Sequence, residues 1–412
     1  MADEMLPANM MALTPLNPAF QADPHALLKP LREQCPVFHD QTFGAFIISK
    51  YADVRALVSD RTLWRDPVRA EDASMFAQRI RAERAAAMEG PSGTSILFLD
   101  DPDHARVRQP LAQALYARVA KAKPQVEAIV DAALDALCSE ARFDLMSRYC
   151  VPIPIDAIAA ILGVDRDRLD DFRDWSEGII QGLNPFRTEA QTAHLMRSGE
   201  ALRDYFNAAM ADRRAHPKDD LITDMVQLKD AGAPLEDEEI RINLTALLVG
   251  GNLTTTDLIG NGVRLFLLNP DQLAAFRADP SLAPQAVEEI LRFEPPVDIT
   301  GRVASRDLEV RGCPVHKTAS LTFSLRAANR DPEAFEAPEA FDITRKRAPH
   351  IAFGGGAHIC IGAPLARMEA QAALTKLFAR FPKLRLVDPD AAPEWRTLPF
   401  FRGLQRLEVA VD

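Results

Sequence analysis

The segment Pro234–Pro270 constrains the fold most. It reads PLEDEEIRINLTALLVGGNLTTTDLIGNGVRLFLLNP, with acidic residues at its start and Asn-Pro at its end, which mark the two ends of a helix. About 30 helical residues span roughly 45 Å at 1.5 Å per residue. Few single domains need so long a helix, and the apolar residues around its middle predict that it is mostly buried.

The middle of this helix, Leu247–Gly262, is also its weakest part. It reads LLVGGNLTTTDLIGNG, with several glycines and three consecutive threonines. Each internal glycine costs a helix about 1 kcal/mol relative to alanine. Threonine is β-branched and can bond back to the carbonyls of its own helix. Taken alone, the segment favours a kinked core helix; the alternative is a helix that makes room for a ligand.

The rest of the chain predicts one helix-rich domain with a minor β region over residues 1–412. Helical periodicity dominates residues 102–268, and hairpin patterns occur near residues 36–50 and 308–323. The stretch EGPSGTSILFLDD, residues 89–101, predicts a loop. No internal repeat or linker interrupts the sequence.

The charge and the termini exclude several classes of function. The net charge of −11 argues against binding to nucleic acid or anionic lipid. The N-terminus has no basic region followed by a long apolar run, and no stretch approaches about 18 apolar residues. We therefore expect a cytoplasmic protein without a signal peptide or membrane anchor.

One of the five cysteines lies in a chemically suggestive place. The five are widely spaced without a CxxC pair, which argues against a disulfide framework or a zinc ribbon. Cys360 lies in FGGGAHICIG, residues 353–362, where a glycine-rich loop meets a helix N-terminus that stabilises a thiolate. The pattern favours a thiolate ligand or nucleophile. A phosphate-binding loop is less favoured because no GK[ST] sequence follows the glycines. A cysteine protease is less favoured because no base is evident as a partner for Cys360.

This loop resembles the haem-binding loop of the cytochrome P450 family, with Phe353, Gly356, Cys360 and Gly362 at the family spacing. Three further segments agree with the family in order: the oxygen-binding helix and two paired motifs. These are VGGNLTTTD, the pair Glu289 and Arg292 in EEILR, and the pair His104 and Arg108 in DDPDHARVR.

The resemblance implies a mainly α, single-domain cytochrome P450 fold with a minor β region and a long central helix across the haem. Cys360 would be the axial thiolate of a haem b, whose electron donation favours O–O cleavage. Phe353 would pack beside the sulfur, and Gly362 belongs to the same cofactor-binding loop. The expected propionate partners are His104, Arg108, Arg302 and His358. The expected structural network is Glu289, Arg292 and Arg345.

The resemblance also assigns the oxygen-activating segment. Gly250 and Gly251 would let the backbone approach the iron, and Thr254 takes the place of the family's oxygen-activating threonine. The preceding residue should be an acid, but it is Leu253, which cannot relay a proton. Two polar neighbours are candidates for the missing role: Asn252 and Asp257.

By resemblance, the chain is a soluble, bacterial-type monooxygenase that inserts one oxygen atom from O2 into an organic substrate. Electrons would pass from NAD(P)H through a separate ferredoxin reductase and a ferredoxin, expected to be of the [2Fe–2S] type. The protein would be a monomer. The expected docking cations are Arg106, Arg345, Lys346 and Arg347. The alternatives are a haem-thiolate protein that uses peroxide or catalyses a non-hydroxylating oxidation, and a non-catalytic haem sensor.

The substrate pocket is expected to be mainly apolar, as small-molecule sites usually are. By family position it comprises Ile96, Leu97, Leu247, Gly250, Val297, Asp298, Ile299, Phe400 and Phe401. Asp298 should meet a substrate group, an internal donor or solvent, because a buried unpaired carboxylate is costly. The expected substrate is neutral and of terpenoid, aromatic or steroid size. The arginine-rich segment from Arg65 to Arg84 could instead bind a carboxylate by folding over the pocket.

Overall fold

A computed structural model of the protein describes residues 6–87, 95–346 and 349–411. The helices in these ranges are α1 (Pro18–Ala22), α2 (Pro24–Gln34), α3 (Tyr51–Ser59), α4 (Met75–Ala87), α5 (Asp103–Val119), α6 (Lys123–Asp135), α7 (Pro152–Leu162), α8 (Leu169–Ile179), α9 (Glu189–Ala215), α10 (Leu221–Asp230), α11 (Asp237–Leu268), α12 (Pro270–Ala278), α13 (Ala283–Phe293), α14 (Leu325–Ala328) and α15 (Ala363–Arg380). The strands are β1 (Val37–Asp40), β2 (Ala45–Ile48), β3 (Arg142–Asp144), β4 (Ile299–Val303), β5 (Leu308–Val310), β6 (Cys313–Val315), β7 (Ser320–Ser324), β8 (Arg385–Leu386) and β9 (Glu408–Ala410). The predicted mainly α fold with a minor β region is confirmed.

The predicted long helix is α11, a single helix of 32 residues. Three acidic residues open it, where negative charge favours a helix N-terminus. Asn269 ends it: its side-chain amide donates to Leu265 O at 2.8 Å, and Pro270 begins α12. The predicted loop over residues 89–101 lies partly outside the described residues.

The chain divides into two compact units. The first comprises the described residues within Met1–Met88, Asn261–Cys360 and Asp388–Leu407. The second comprises those within Glu89–Gly260, Ile361–Val387 and Glu408–Asp412. The single domain over residues 1–412 stays a prediction.

The first unit contains a four-stranded sheet in the order β1-β2-β7-β4. β1 and β2 form the predicted hairpin, β2 runs parallel to β7, and β4 pairs antiparallel with β7. Apolar side chains of this sheet and of α3 form one buried cluster that includes Ile48, Val54, Val58, Leu321 and Phe323. The cluster fixes the C-terminal end of α3, which supports the glycine-rich loop described below.

The second predicted hairpin is shorter than the sequence suggested. β5 and β6 pair around Arg311 and Gly312, which have φ of 51° and 80°. Two residues with positive φ are typical of the tight turn that joins antiparallel strands. β7, which the sequence placed in the same hairpin, instead joins the four-stranded sheet.

The second unit is a helical assembly that holds most of α11. Its closest helix pairs are α8 with α9 and α15 with α6. α7 is buried along most of its length, and a small sheet in the order β3-β9-β8 closes the unit. α9 begins at a capping box formed by Thr188 and Gln191.

Candidate functional site

The loop from Phe353 to Cys360 closes on itself and presents its thiol outward. The Cys360 N–H donates to Phe353 O at 3.0 Å, and Gly354 and Gly356 adopt φ of +70° and +65°. Cys360 is exposed, and the apolar Ile359 beside it is 47% exposed. α15 begins three residues after Cys360 with Gly362 as its N-cap, so the thiol precedes the positive end of an 18-residue helix.

Two glycines of this loop, Gly355 and Gly356, are required by close packing against α3. A Cβ on Gly355 would lie 2.8 Å from the Val58 side chain, and one on Gly356 would lie 2.7 Å from Val58 O. At such distances a side chain would displace the loop or α3. The first unit therefore fixes the path of the backbone that leads to Cys360.

Three further predicted cofactor residues belong to the first unit. Arg302 on β4 is buried and donates to Gly301 O at 2.8 Å and Val58 O at 2.9 Å, so it meets the same end of α3 as the loop. The half-buried Phe353 ring lies 5.8 Å from the His350 ring. His358 is half-buried in the helical turn Gly356–His358.

Glu289, Arg292 and Arg345 form a buried network in the first unit. Arg292 makes two bonds to the Glu289 carboxylate, at 2.7 and 2.8 Å, and Arg345 Nε lies 3.2 Å from Glu289 Oε2. Arg292 also donates to the carbonyls of Asn329, Pro338 and Ala340. The network ties α13 to the segment before the glycine loop.

In the second unit, α5 carries His104 and Arg108 one turn apart. His104 is buried, and its Nδ1 lies 3.6 Å from Asp101 Oδ1. Burial and the neighbouring Arg108 guanidinium lower the pKa of His104, and Asp101 offsets this only in part. His104 is therefore neutral at pH 7, and Arg108 is half-buried beside it.

The weak middle of α11 has one open face. Gly250 is exposed, and a Cβ built there would meet nothing within 4 Å, whereas one on Gly251 would lie 3.0 Å from Ile158. Thr254, one turn from Gly250, is half-exposed, and its hydroxyl donates to Gly250 O at 2.9 Å. Gly250 and Thr254 thus share an open face on an otherwise buried helix.

The polar neighbours of Thr254 face the protein interior. Asn252 is fully buried and bonds to Ser176 Oγ and Leu248 O, so its amide is already engaged. Asp257 is 2% exposed, and Leu253, in the position of the expected acid, is also 2% exposed. The apolar Leu253 therefore belongs to the core.

Most of the predicted pocket residues fall into two groups, one in each unit. In the first unit, Val297 bridges to Phe401, Asp298 N donates to Phe400 O at 2.9 Å, and half-buried Ile299 opens β4. In the second unit, Ile96 is buried and its N–H donates to Asn243 Oδ1 at 2.9 Å. Leu97 is 39% exposed, and Leu247 is buried on α11.

Asp298 meets an internal donor. Its carboxylate accepts a bond from Arg326, which also pairs with Glu294, and Arg402 binds the same Glu294. All four side chains are largely buried. Sequence reasoning missed this cluster, because Arg326 meets Asp298 and Arg402 meets Glu294 only through the tertiary fold, 28 and 108 residues apart in the chain.

The arginines between Arg65 and Arg84 are engaged locally. Arg81 pairs with Asp72 at 2.8 Å, and Arg84 pairs with Asp66 at 2.9 Å. Arg65 donates to Gly301 O at 2.7 Å. The segment's cations are thus largely committed to acids and carbonyls of the first unit.

The structure corrects part of the predicted docking surface. Arg345 is only 13% exposed and donates to Glu289 and to backbone carbonyls, so it is not a surface cation. Arg106 is held by Glu239 and Asp103 at 2.6 and 3.0 Å. Lys346 is exposed, and Arg347 lies outside the described residues.

These residues fit a haem with thiolate ligation. In the first unit, the fit rests on the exposed Cys360 beside the exposed apolar Ile359, and on a loop in which a Cβ at Gly355 or Gly356 would collide with α3. Among the described residues, no group of three or more His, Cys, Asp or Glu side chains could hold a metal ion. No helix in the described ranges is both long and apolar enough to cross a membrane.

Comparison with known proteins identifies the family. The cytochrome P450 family model matches residues 183–395. Cytochrome P450 107B1 of Saccharopolyspora erythraea is 38% identical over 397 residues, which cover 95% of this chain and 96% of that protein. The 6-deoxyerythronolide B hydroxylase of the same organism is 35% identical over 410 residues, covering 96% and 97%.

The fold comparison agrees. The crystal structure of CalO2 matches with a TM-score of 0.88 and 29% identity, covering 97% of this chain and 98% of that one. The chain belongs to the cytochrome P450 family and is an oxygen-incorporating oxidoreductase of that family, which uses haem, O2 and reducing equivalents.

Proposed function

We propose that the protein is a monooxygenase that inserts one oxygen atom from O2 into a small, mainly hydrophobic substrate, with Cys360 as the thiolate that would hold the iron of a haem b. The observation that carries the proposal is the outward thiol of Cys360 on its closed glycine loop, directly before α15. When bound, the haem supplies the oxygen chemistry.

The remaining cofactor contacts come from residues that can pair with carboxylates or pack on a ring. Arginine and histidine suit the propionates because they form charge-assisted hydrogen bonds. Phe353, whose ring lies near that of His350, would pack beside the sulfur, and Gly362 is the N-cap of α15. The proposed propionate partners are His104, Arg108, Arg302 and His358.

Thr254 holds the proton that the reaction consumes, and Gly250 leaves space beside it on the open face, whereas Gly251 packs against Ile158. Its hydroxyl bonds to Gly250 O and can turn toward a ligand at the open face of α11. Asp257, one turn beyond Thr254, is a better source of the proton than Asn252. The Asn252 amide is already engaged by Ser176 and Leu248 O.

The substrate is neutral and mainly apolar. Val297, Ile299, Phe400 and Phe401 supply apolar surface, as do Ile96, Leu97 and Leu247. The Asp298 carboxylate is paired with Arg326 and so is not available to a substrate amine. A relative that covers nearly the whole chain is named as a hydroxylase of 6-deoxyerythronolide B, which supports hydroxylation as the reaction.

Electrons reach the protein from NAD(P)H through a ferredoxin reductase and a [2Fe–2S] ferredoxin. The proposed docking cations are Lys346 and Arg347, of which Arg347 lies outside the described residues. Arg106 is a weaker candidate, because Glu239 and Asp103 already hold it. Reduction by such a partner should slow as salt screens the charges. A cytoplasmic location and a monomeric state remain predictions.

A second function is favoured by one observation. Leu253 is buried and apolar where the family pattern has an acid, so delivery of protons to O2 is the step most affected. A haem-thiolate protein that starts from peroxide, or that catalyses a non-hydroxylating oxidation, has less need of that acid. A haem sensor has no need of it at all.

The test is turnover with labelled oxygen. The protein is combined with NADH, a ferredoxin reductase, a [2Fe–2S] ferredoxin and a panel of neutral terpenoid, aromatic and steroid compounds under ¹⁸O₂. The proposal is supported if the product carries one ¹⁸O atom and its formation consumes NADH. Product formed only with added peroxide establishes the alternative, and oxidation without oxygen incorporation shows a non-hydroxylating reaction.

A further inference from the structure

A buried polar contact joins α8 to the weak middle of α11, both in the second unit. Asn252 on α11 donates to Ser176 Oγ on α8 at 2.8 Å. Arg173 on α8 donates to Asn252 Oδ1 at 3.2 Å and lies 3.5 Å from Thr256 Oγ1. The family patterns in the sequence do not include Arg173 or Ser176.

The contact leaves Asn252 little freedom. Its Nδ2 serves both Ser176 Oγ and Leu248 O, and its Oδ1 accepts from Arg173. The residue is fully buried, so water does not compete for these groups. A buried amide whose donors and acceptor are all used is fixed in one orientation.

Side chains also determine the shape of α11 at this point. The carbonyls of Leu248, Gly250 and Asn252 each accept a bond from the side chain four residues later, namely Asn252, Thr254 and Thr256. Such back-bonding bends helices and weakens the backbone ladder. The local path of α11 therefore depends on where these three side chains are held.

Arg173 acts on two of these three side chains. It contacts Asn252 and Thr256, which flank Thr254 in sequence, while its other terminal nitrogen is held by Glu177 at 2.7 Å. The Arg173 side chain is 19% exposed, so its bonds are only partly screened by solvent. Hydrogen bonds to a charged donor are stronger than neutral ones.

We propose that Arg173 is a positioning residue for Thr254. Through Asn252 and Thr256 it holds the back-bonded segment of α11 in the form that presents Gly250 and Thr254 on the open face. Ser176 supports the same arrangement through Asn252. This role rests on the proposed function, because Thr254 matters only if O2 is activated at that face.

The test compares haem-loaded variants that differ at α8. Arg173→Met removes the charged donors, Arg173→Lys keeps the charge, and Ser176→Ala removes one partner of Asn252. The control is Arg168→Met at the start of α8, where the side chain is 40% exposed and bonds to Asp171 at 2.9 Å. Hydrogen exchange of the amides in Leu248–Gly260, NADH coupling and the reduced CO spectrum are measured for each variant.

We expect Arg173→Met to speed exchange of these amides by about tenfold, as for loss of one hydrogen bond to a charged group. Product per NADH and kcat should fall together with little change in KM. Arg173→Lys should restore part of both effects, and Ser176→Ala should show smaller changes in the same direction. The CO spectrum should stay as in the wild type.

The inference is overturned if Arg173→Met has the same amide exchange rates and the same product per NADH as the control Arg168→Met. If Arg173→Met does not fold, the same comparison is made with Ser176→Ala, and equality with the control again overturns the inference. It is also overturned if exchange rises but coupling does not change. Failure of the proposed function looks different: the wild type itself then forms no NADH-coupled product, with or without a thiolate-type CO spectrum, whatever the exchange rates of the variants.

Discussion

Thr254 is the residue on which the proton chemistry depends, because Leu253 cannot share the task. Leu253 is 2% exposed and packs in the core, whereas Thr254 is half-exposed and bonds back to Gly250 O. An acid at position 253 would place a carboxylate in an apolar setting, where ionisation is costly.

We therefore predict that Thr254→Ala lowers product formed per NADH by roughly tenfold or more, since loss of a group that handles a proton typically costs at least that factor. The missing electrons should appear as hydrogen peroxide. Parallel assays of NADH, product and peroxide test this, with Thr255→Ala on the buried side of α11 as the control. Unchanged coupling in Thr254→Ala would remove this residue from the mechanism.

Glu369 is a second informative residue. It lies on α15, fully buried, and neither carboxylate oxygen has a hydrogen-bond partner among the described residues. Burial raises the pKa of Glu369 well above its usual value, so the folded protein keeps this carboxyl protonated. The unfolded chain loses the proton near pH 4.3, so folding stability falls as the pH rises above that point.

Glu369→Met should therefore stabilise the protein by about 1–3 kcal/mol at neutral pH, because it removes a buried, unsatisfied polar group. The gain should be small near pH 4 and should grow with pH. Denaturant unfolding at several pH values measures it, and Glu200→Met on the exposed face of α9 is the control. A loss of stability at neutral pH would show that Glu369 has a partner that this account lacks.

Sequence reasoning reached the residues that belong to local patterns. Cys360 is predicted from a glycine loop before a helix, and the buried Glu289–Arg292 pair from the resemblance of EEILR to the family's Glu-x-x-Arg motif. Residues joined only by the tertiary fold were missed. Arg326 meets Asp298 from 28 residues away, and Arg173 meets Asn252 from 79 residues away, so no short pattern could reveal either contact.

At the scale of elements, three glycines of α11 have different neighbours. A Cβ on Gly250 would meet nothing within 4 Å, one on Gly251 would lie 3.0 Å from Ile158, and one on Gly260 would lie 2.5 Å from Met146 Sδ. The helix itself gains about 1 kcal/mol from each glycine replaced by alanine. Packing around the new methyl group therefore decides whether a Gly→Ala substitution stabilises or destabilises the protein at each position.

We predict that Gly250→Ala stabilises the protein by about 1 kcal/mol, whereas Gly260→Ala destabilises it by about 1–3 kcal/mol through overpacking. Gly251→Ala should lie between the two. Denaturant unfolding of the three haem-loaded variants gives the order. Equal effects at Gly250 and Gly260 would contradict the packing described for α11.

The elements that sequence patterns predicted best are those with clear start and stop residues. α11 has acidic residues at its start and Asn-Pro at its end, and both bounds were close to those observed. β7 was assigned to the wrong partner because its apolar residues suit any buried neighbour. Parallel pairing of β7 with β2 joins residues about 275 positions apart, which local periodicity cannot encode.

At the scale of the whole molecule, a buried histidine surrounded by arginines should make the folding stability of the protein sensitive to acid. Both ring nitrogens of His25 on α2 are buried and have no hydrogen-bond partner among the described residues. Burial lowers the pKa of His25 well below its usual value. The positive charges of four arginines lower this pKa further: Arg330, Arg326, Arg32 and Arg402. Two of them, Arg326 and Arg402, are hydrogen-bonded to Glu294.

The direction of the pH dependence of stability follows from whether the folded or the unfolded state binds the proton more readily. The unfolded chain protonates His25 near pH 6.5, while the folded protein resists protonation, so stability is lost as the pH falls below about 6.5. We predict that His25→Gln reduces the loss of stability between pH 7.5 and pH 5 by about 1 kcal/mol or more. Thermal unfolding across this range measures it, with exposed His39→Gln as the control. An unaltered slope in His25→Gln would rule out His25 as the cause.

The central claim is that Cys360 binds haem iron as a thiolate, and the reduced CO spectrum tests it most directly. We predict a thiolate-type spectrum for the wild type, its loss in Cys360→Ser, and its retention in Cys138→Ser, which removes another exposed cysteine. A histidine-type CO spectrum from the folded wild type, or a thiolate-type spectrum that survives in Cys360→Ser, would contradict the account.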